Sequence, residues 1–186
     1  QYAKHYRTVE VDSWFYKVPD PPDAAEYASR VPPGFTFACK LPESISLTHE
    51  RSRDKSAPLI PNPDFLSVER YAQFISNITV LIPRIFLLEL EFEYLNKQKI
   101  ANLSAFLKAI ENFVSLLDAE GLKDTVPLAI ECRNANYLQR EYYQFLAFFN
   151  QTADRDQPDE SPTIEAHPPL WRARALDAAE ELRARG

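Results

Sequence analysis

The segment Phe86-Leu-Leu-Glu89-Leu-Glu91-Phe-Glu93 alternates apolar and acidic side chains along its second half. Successive side chains of a β-strand point to opposite faces, so the three glutamates share one face and the apolar side chains occupy the other. Residues 8–12, 35–40 and 128–133 have the same pattern, with charged residues close to the C-terminal end of each run. The four runs therefore predict four strands that each have one apolar face and one charged face.

Segments with helical periodicity separate these runs, and an acidic residue before two prolines marks one helix start at Asp20. Strands with an apolar face that alternate with helices are typical of a parallel β/α sheet. If such a sheet closes into a barrel, its charged strand ends converge on one mouth, where barrels of this kind place their active sites. The helices are expected at about residues 20–31, 68–82, 103–117, 141–149 and 170–185.

The composition of the 186 residues fits a single domain, 1–186, with a large core. A net charge of −6 argues against a general binder of nucleic acid or of anionic membranes, since both require a basic surface. No apolar run reaches membrane-spanning length, so no membrane partner is expected. Cys39 and Cys132 lie on predicted strands that are not neighbours, which indicates reduced thiols of a cytoplasmic protein and no disulfide bond.

Two features of the composition suggest that part of the fold is missing from this chain. It contains no methionine and only 3 glycines, although α/β folds normally place glycine in many of their turns. A complete (β/α) barrel takes about 250 residues. We therefore expect an α/β fold that is incomplete in this chain, with segments missing at its start and inside it, and with the place of residues 151–186 in the fold left open.

The scarcity of glycine also excludes several common functional motifs. Three isolated glycines cannot form a Walker loop, a dinucleotide fingerprint or a G-x-S-x-G nucleophile elbow. The sequence contains no H-E-x-x-H or C-x-x-C motif either. Most nucleotide-cofactor and serine-hydrolase functions are thereby set aside.

Charged residues of the predicted strands are expected to meet at the barrel mouth: Glu10, Asp12, Lys40, Glu91, Glu131 and Arg133. In a functional pocket the carboxylates would act as acid and base or hold a divalent cation, and the two cations would bind an anionic substrate. The alternative is a neutralising salt network inside the barrel, although such interiors are normally apolar. At least one of Glu89 and Glu93 is expected to lie outside the pocket. His49, on the long polar connection 42–63, is a candidate base, metal ligand or solvated side chain.

Four sequence blocks resemble, in order, those of the YecE-like family, the domain of unknown function seventy-two. The first is Thr8-Val-Glu10-Val-Asp12-Ser-Trp-Phe-Tyr16, and the second is Gly34-Phe-Thr-Phe-Ala-Cys-Lys40-Leu-Pro42 followed by Leu47-Thr48-His49. The others are Leu90-Glu91-Phe-Glu-Tyr-Leu-Asn96 and Ala129-Ile-Glu131-Cys-Arg133-Asn134. The resemblance covers about residues 1–150 and implies a TIM-barrel-like (β/α) fold whose activity is unassigned, with the first and last strands of that barrel missing from this chain.

The resemblance also implies a set of site residues. The expected catalytic residues are Glu10, Asp12, Glu91, Glu131 and His49. The expected substrate-binding residues are Lys40, Arg133, Asn134, Tyr16 and Thr48. The chain departs from the family at Asp12, where relatives often have asparagine, and at Glu91-Phe-Glu93, where they often have a Gln-x-Pro block. These extra carboxylates make the site more acidic and favour cation binding.

From these features we expect a metal-assisted hydrolase or isomerase of a small anionic or polyol substrate. A divalent cation held by carboxylates would be Mg²⁺ or Mn²⁺, since zinc would require more histidine. The alternative is a barrel without catalytic activity that binds a small ligand or a partner. Metal-dependent hydrolysis of nucleic acid is disfavoured because the chain is acidic.

Overall fold

The computed structural model describes residues 2–52, 54 and 56–153. Within them, four strands form one sheet: β1 (Thr8–Val11), β2 (Thr36–Lys40), β3 (Ile85–Phe92) and β4 (Leu128–Cys132). The order of the strands in the sheet follows their order in the chain, and each neighbouring pair is parallel. The predicted α/β class with a parallel sheet is therefore confirmed, and each strand lies within about one residue of its predicted bounds.

Helices connect the strands and follow the last one: α1 (Ser13–Tyr16), α2 (Pro21–Ser29), α3 (Glu43–Ser46), α4 (Val68–Asn77), α5 (Leu103–Ala119) and α6 (Arg140–Ala153). Three short 3-10 segments lie at Tyr2–Lys4, Ile82–Arg84 and Ala135–Tyr137. The longer helices confirm the periodicity of the sequence. The single turns α1 and α3 were not predicted, because four residues are too few to show a helical period. The helix expected at 170–185 lies outside the described residues.

The apolar face of the sheet forms the core. Phe92 of β3 stacks edge-on against Phe106 of α5, with ring centroids 4.9 Å apart. Tyr71 of α4 meets Phe113 of α5 in the same geometry at 5.9 Å. The β4 residues on this face are half-buried, and the sheet residues of the face that are fully buried are Val11, Phe37, Cys39, Leu88, Leu90 and Phe92. Because side chains alternate along a strand, the charged residues of the same strands lie on the opposite face.

Local hydrogen bonds set the helix ends that bracket this core. The side chain of Asp20 accepts from the backbone N–H of Asp23 at 2.9 Å, and the Asp23 carboxylate accepts in return at 3.4 Å, which forms the capping box of α2. Gly121 has a positive φ of 67°, and the N–H of Leu122 then donates to the carbonyl of Leu117 at 2.8 Å. This closure ends α5 as a Schellman motif.

The chain divides into two compact units, residues 1–135 and 136–186. The first contains the four strands and helices α1–α5, and it also contains the charged ends of all four strands. Helix α6 belongs to the second unit. None of the described helices combines the length and apolar character needed to cross a lipid bilayer. The assignment of residues 1–186 to a single domain stays a prediction.

Two adjacent leucines of α5 provide a matched test of this core. Leu117 is 2% exposed and Leu116 is 55% exposed. We expect Leu117→Ala to lower the free energy of unfolding by about 2–5 kcal/mol, because it removes buried methyl groups and leaves a cavity. Leu116→Ala makes the same chemical change on the same helix and should alter it by about 0.5 kcal/mol or less. Urea denaturation measures both, and equal effects would contradict the packing of α5.

Candidate functional site

Seven charged side chains lie on the polar face of the sheet, near the C-terminal ends of the strands. We call them the charged cluster: Glu10, Asp12, Lys40, Glu89, Glu91, Glu131 and Arg133. The strand register places Lys40 opposite Glu89 and Glu91 opposite Glu131. Parallel pairing thus brings together charges that are far apart in sequence. All six charged residues that the sequence analysis expected to meet at the strand ends belong to this cluster.

Lys40 is the centre of the charged cluster. Its Nζ lies 2.8 Å from Glu91 Oε2, 2.9 Å from Asp12 Oδ1 and 3.2 Å from Glu10 Oε1. The side chains of Lys40 and Glu91 are only 14% and 8% exposed. Burial opposes the charge of Lys40, but hydrogen bonds to Asp12, Glu91 and Glu10 outweigh it and raise the pKa of Lys40. The hydrogen bond between Lys40 and Asp12 also holds the pKa of Asp12 below its ordinary value.

Arg133 joins the last strand to the same group. It follows β4, and its Nη2 forms an ion pair with Glu91 Oε1. Its Nε lies 3.5 Å from Glu131 Oε1. Glu91 therefore gives one carboxylate oxygen to Lys40 and the other to Arg133. Both cations of the cluster are already engaged by carboxylates, as a neutralising network would require.

Glu89 and Glu131 form a carboxyl pair beside this network. Burial, followed by a hydrogen bond to Glu131, raises the pKa of Glu89 to about 8. The hydrogen bond from Glu89 lowers the pKa of Glu131, helped by the charges of Lys40 and Arg133. Two carboxylates in hydrogen-bond contact cannot both ionise cheaply, so one keeps a proton. Near neutral pH, Glu89 therefore holds a proton and donates it to the ionised Glu131.

A second polar group contains two of the predicted site residues. Thr48 Oγ1 lies 3.5 Å from Glu93 Oε1 and 2.9 Å from His49 Nδ1. Glu93 also forms an ion pair with Lys99. Glu93 is four residues from Glu89 on the same strand face, directly after β3. His49 and Thr48 are thus held at the edge of the charged face through Glu93.

The remaining two predicted site residues have different surroundings. Asn134 is buried, and its side chain accepts from the N–H of Leu95 at 2.8 Å and donates to the carbonyl of Leu95 at 2.7 Å. Tyr16 is 72% exposed at the end of α1, with its ring edge-on to Phe15. Asn134 fixes one loop to another, and the substrate-binding roles of both residues stay predictions.

The charged cluster does not have the arrangement of a divalent metal site. A hard cation such as Mg²⁺ takes about six oxygen ligands around one point. In the described part of the chain, no group of three or more His, Cys, Asp or Glu side chains is placed to hold a metal ion. Both oxygens of Glu91 and one oxygen each of Glu10, Asp12 and Glu131 are instead directed at Lys40 or Arg133. The predicted Mg²⁺ or Mn²⁺ finds no donor set among these residues.

The sequence alone did not identify Glu89 or Lys99 as site residues. The alternation in β3 put Glu89 on the correct face but could not show which side chain of β4 it would meet. Its contact with Glu131 depends on the register of β3 and β4, which pairs Glu91 with Glu131 and leaves Glu89 two residues behind. Lys99 lies in the loop after β3 and carries no sequence pattern that points to Glu93.

Removal of Lys40 tests whether the charged cluster supports the fold. We expect Lys40→Met to lower the free energy of unfolding by about 3 kcal/mol, because it leaves the buried carboxylate of Glu91 with one cation fewer. Adding Glu91→Gln should restore part of the loss, since it removes the unpaired charge.

The control for this substitution is the surface pair of Lys17 and Asp23, at 3.2 Å with Lys17 77% exposed. Lys17→Met should change stability by no more than about 1 kcal/mol. A Lys40→Met protein as stable as the Lys17→Met protein would contradict the central role of Lys40.

The raised pKa of Glu89 predicts a pH dependence of stability. In the unfolded chain Glu89 loses its proton near its ordinary pKa of 4.5, whereas the folded protein holds it to about 8. Between these values the folded state binds more protons, so Glu89 makes stability fall as the pH rises. Glu89→Gln cannot ionise and can still donate to Glu131. We expect it to match the wild type near pH 4, below that ordinary pKa, and to be more stable than the wild type near pH 8.

Denaturant titrations at several pH values measure this difference. The exposed Glu120, on the C-terminal cap of α5, provides the control. Glu120→Gln should shift stability by the same amount at every pH from 5 to 8. A Glu89→Gln curve that runs parallel to that of the wild type would contradict the proton on Glu89.

Comparison with known proteins gives two kinds of similarity. The chain matches the family model described as protein of unknown function DUF72 over residues 1–172. It is also similar to two crystal structures of a DUF72 family protein from Enterococcus faecalis V583, both at 23% sequence identity. Their TM-scores are 0.51 and 0.53, and the matches cover 81% and 82% of this chain.

The structural matches cover 53% and 49% of the Enterococcus chains, so this chain spans about half the length of those structures. At such identity the likeness supports the α/β fold alone. No curated protein gives a significant match. The family model, which extends over most of the sequence, confirms the resemblance to the YecE-like blocks: the chain belongs to the DUF72 family.

Proposed function

We propose that the charged cluster is an acid–base site that acts on a small hydroxylated molecule, in a hydrolysis or an isomerisation. The observation that supports this most directly is the pair of Glu89 and Glu131, which shares one proton near neutral pH. A site that moves protons needs one group that can give a proton and one that can take it at the same pH. Paired carboxyl groups with separated pKa values serve this purpose in several enzyme classes.

The pair divides the two roles between its members. In an isomerisation, Glu131 would remove a proton from the carbon beside a carbonyl while Glu89 gives its proton to the carbonyl oxygen, which yields an enediol. Glu131 then gives its proton to the former carbonyl carbon, and Glu89 takes the hydroxyl proton from the oxygen of the neighbouring carbon, where the new carbonyl forms. In a hydrolysis, Glu131 would take a proton from water and Glu89 would protonate the leaving oxygen. Both routes leave the total number of protons on the pair unchanged.

The charge balance favours a polyol over an anion as the substrate. Lys40 contacts three carboxylates, and Arg133 contacts Glu91 and Glu131. Acidic side chains therefore outnumber the two cations, and an added anion would have to displace carboxylates from them. A hydroxyl group can donate to a carboxylate and accept from a cation without breaking either ion pair. We accordingly assign two roles to Glu10, Asp12 and Glu91. They hold the hydroxyl groups of the substrate, and they keep Lys40 in position.

We further propose that the sheet belongs to a (β/α) barrel. Four parallel strands in chain order are the arrangement that a barrel repeats, and the related crystal structures are about twice as long as this chain. The charged ends of the strands would then lie at the C-terminal mouth of that barrel. The exposed Tyr16, on the turn after β1, would line the rim.

Binding without catalysis is the second candidate function. The observation that favours it is that carboxylates already engage both Lys40 and Arg133, since a network held together by ion pairs can bind a ligand without any proton transfer. Cleavage of nucleic acid has no comparable support. The face is rich in carboxylates, and these would repel a phosphate backbone.

Deuterium exchange distinguishes catalysis from binding. The intact protein is incubated in D₂O with a panel of aldoses, ketoses, polyols and simple glycosides, and proton NMR follows loss of carbon-bound hydrogen or appearance of cleavage products. We expect turnover of at least one compound at about pH 7. Because Glu131 is the proton acceptor, Glu131→Gln should reduce that turnover by about 100-fold or more.

Glu120→Gln serves as the matched control and should leave turnover unchanged. If ligand-observed NMR shows that a compound binds but neither the wild type nor Glu131→Gln converts any member of the panel, the site binds without catalysis. Equal turnover in the wild type and in Glu131→Gln would remove Glu131 from the mechanism.

A further inference from the structure

Four polar side chains, linked by hydrogen bonds and an ion pair, form a row along the edge of the charged face. Lys99 pairs with Glu93, Glu93 receives the hydroxyl group of Thr48 at 3.5 Å, and Thr48 Oγ1 lies 2.9 Å from Nδ1 of His49. Thr48 is 6% exposed, so its hydroxyl has little access to water. This row of side chains lies beside the pair of Glu89 and Glu131 but shares no residue with it.

The direction of each hydrogen bond in this row of side chains follows from the chemistry of its groups. An ammonium group only donates, and a carboxylate only accepts, so Glu93 accepts from both Lys99 and Thr48. The hydroxyl group of Thr48 has one hydrogen, and that hydrogen is directed to Glu93. Toward His49, Thr48 can then only accept, so the hydrogen on that bond belongs to Nδ1 of the imidazole.

The loop that carries His49 is fixed by backbone bonds on both sides. His49 pairs with Pro61 as an isolated antiparallel bridge, and the N–H of Glu50 donates to the carbonyl of Ile60 at 2.9 Å. The side-chain amide of Asn62 donates to the carbonyls of Ser44 and Leu47, at 2.8 and 2.6 Å. These bonds fix the backbone positions of Thr48 and His49, so the two side chains start from neighbouring, well-held points of the loop.

We infer that Thr48 is a positioning residue that holds neutral His49 in its Nδ1–H tautomer and leaves Nε2 as a proton acceptor at the edge of the charged face. Within the described ranges, the bond to Thr48 is the one hydrogen bond of the His49 ring. Nε2 thus keeps its lone pair for a substrate hydroxyl or a water molecule. The use of this lone pair in turnover rests on the proposed function, whereas the tautomer does not.

Nitrogen-15 NMR of the intact protein measures the tautomer without any substrate. Long-range proton–nitrogen spectra at about pH 8.5, where an unperturbed imidazole is neutral, separate the protonated from the unprotonated ring nitrogen. For His49 we expect a protonated Nδ1 and an unprotonated Nε2. Thr48→Val removes the acceptor, and the ratio of the Nδ1–H to the Nε2–H form should fall by about fivefold, the ratio that one ordinary hydrogen bond supports.

Thr48→Ser retains the hydroxyl group and should restore the wild-type ratio, a rescue that loss of packing alone would not produce. His5 is exposed and serves as the reference histidine, with one pattern expected in all three proteins. A wild-type His49 protonated at Nε2, or a ratio that does not change in Thr48→Val, would overturn the inference. Neither result depends on the turnover of Glu131→Gln, so the two proposals can fail separately.

Discussion

The ion pairs around Lys40 hold the charged face together, because one buried ammonium group joins carboxylates that three different segments contribute. Glu10 comes from β1, Asp12 from the turn after it and Glu91 from β3, while Lys40 ends β2 between them. A buried charge is tolerated only when its partners are in place. The relative positions of the three strands are therefore tied to a single side chain, and Arg133 extends the same network to β4.

In the part of the chain that the structure describes, the ion pairs of Lys40 and Arg133 go to the other acidic residues of the cluster. Burial, followed by the hydrogen bond to Glu131, raises the pKa of Glu89 to about 8, so Glu89 keeps its proton near neutral pH beside the ionised Glu131. The stability of the fold thus depends on the paired charges of this sheet face, whereas the proposed chemistry depends on its protonated carboxyl group. The ion pairs of the two cations hold the strand ends together, and the burial of Glu89 beside a second carboxyl group produces the proton that an acid–base site needs.

Period-two alternation predicted from the sequence which side of each strand is buried, and parallel β/α order predicted that the charged ends would meet. These predictions depend on the pleat and on chain direction, which local sequence determines. Register was not predictable in the same way, since the shift between Phe37 and Ala38 leaves no sequence signal. The contact between Glu89 and Glu131 depends likewise on the register of β3 and β4, and the pairing of Glu93 with the loop residue Lys99 has no sequence pattern behind it. A divalent cation was expected because the sequence gives how many carboxylates enter the pocket but not how close they lie to Lys40 and Arg133.

The two hydrogen bonds between Asn134 and the backbone of Leu95 connect the segment after β4 to the loop after β3. One side chain both donates to and accepts from the same residue, and this fixes its amide orientation without ambiguity. Mechanically, such a joint makes the two strand ends move as one body. A force applied at Arg133 is carried through Asn134 to Leu95 and on toward Glu93, so the load is shared between β3 and β4 instead of opening the sheet between them.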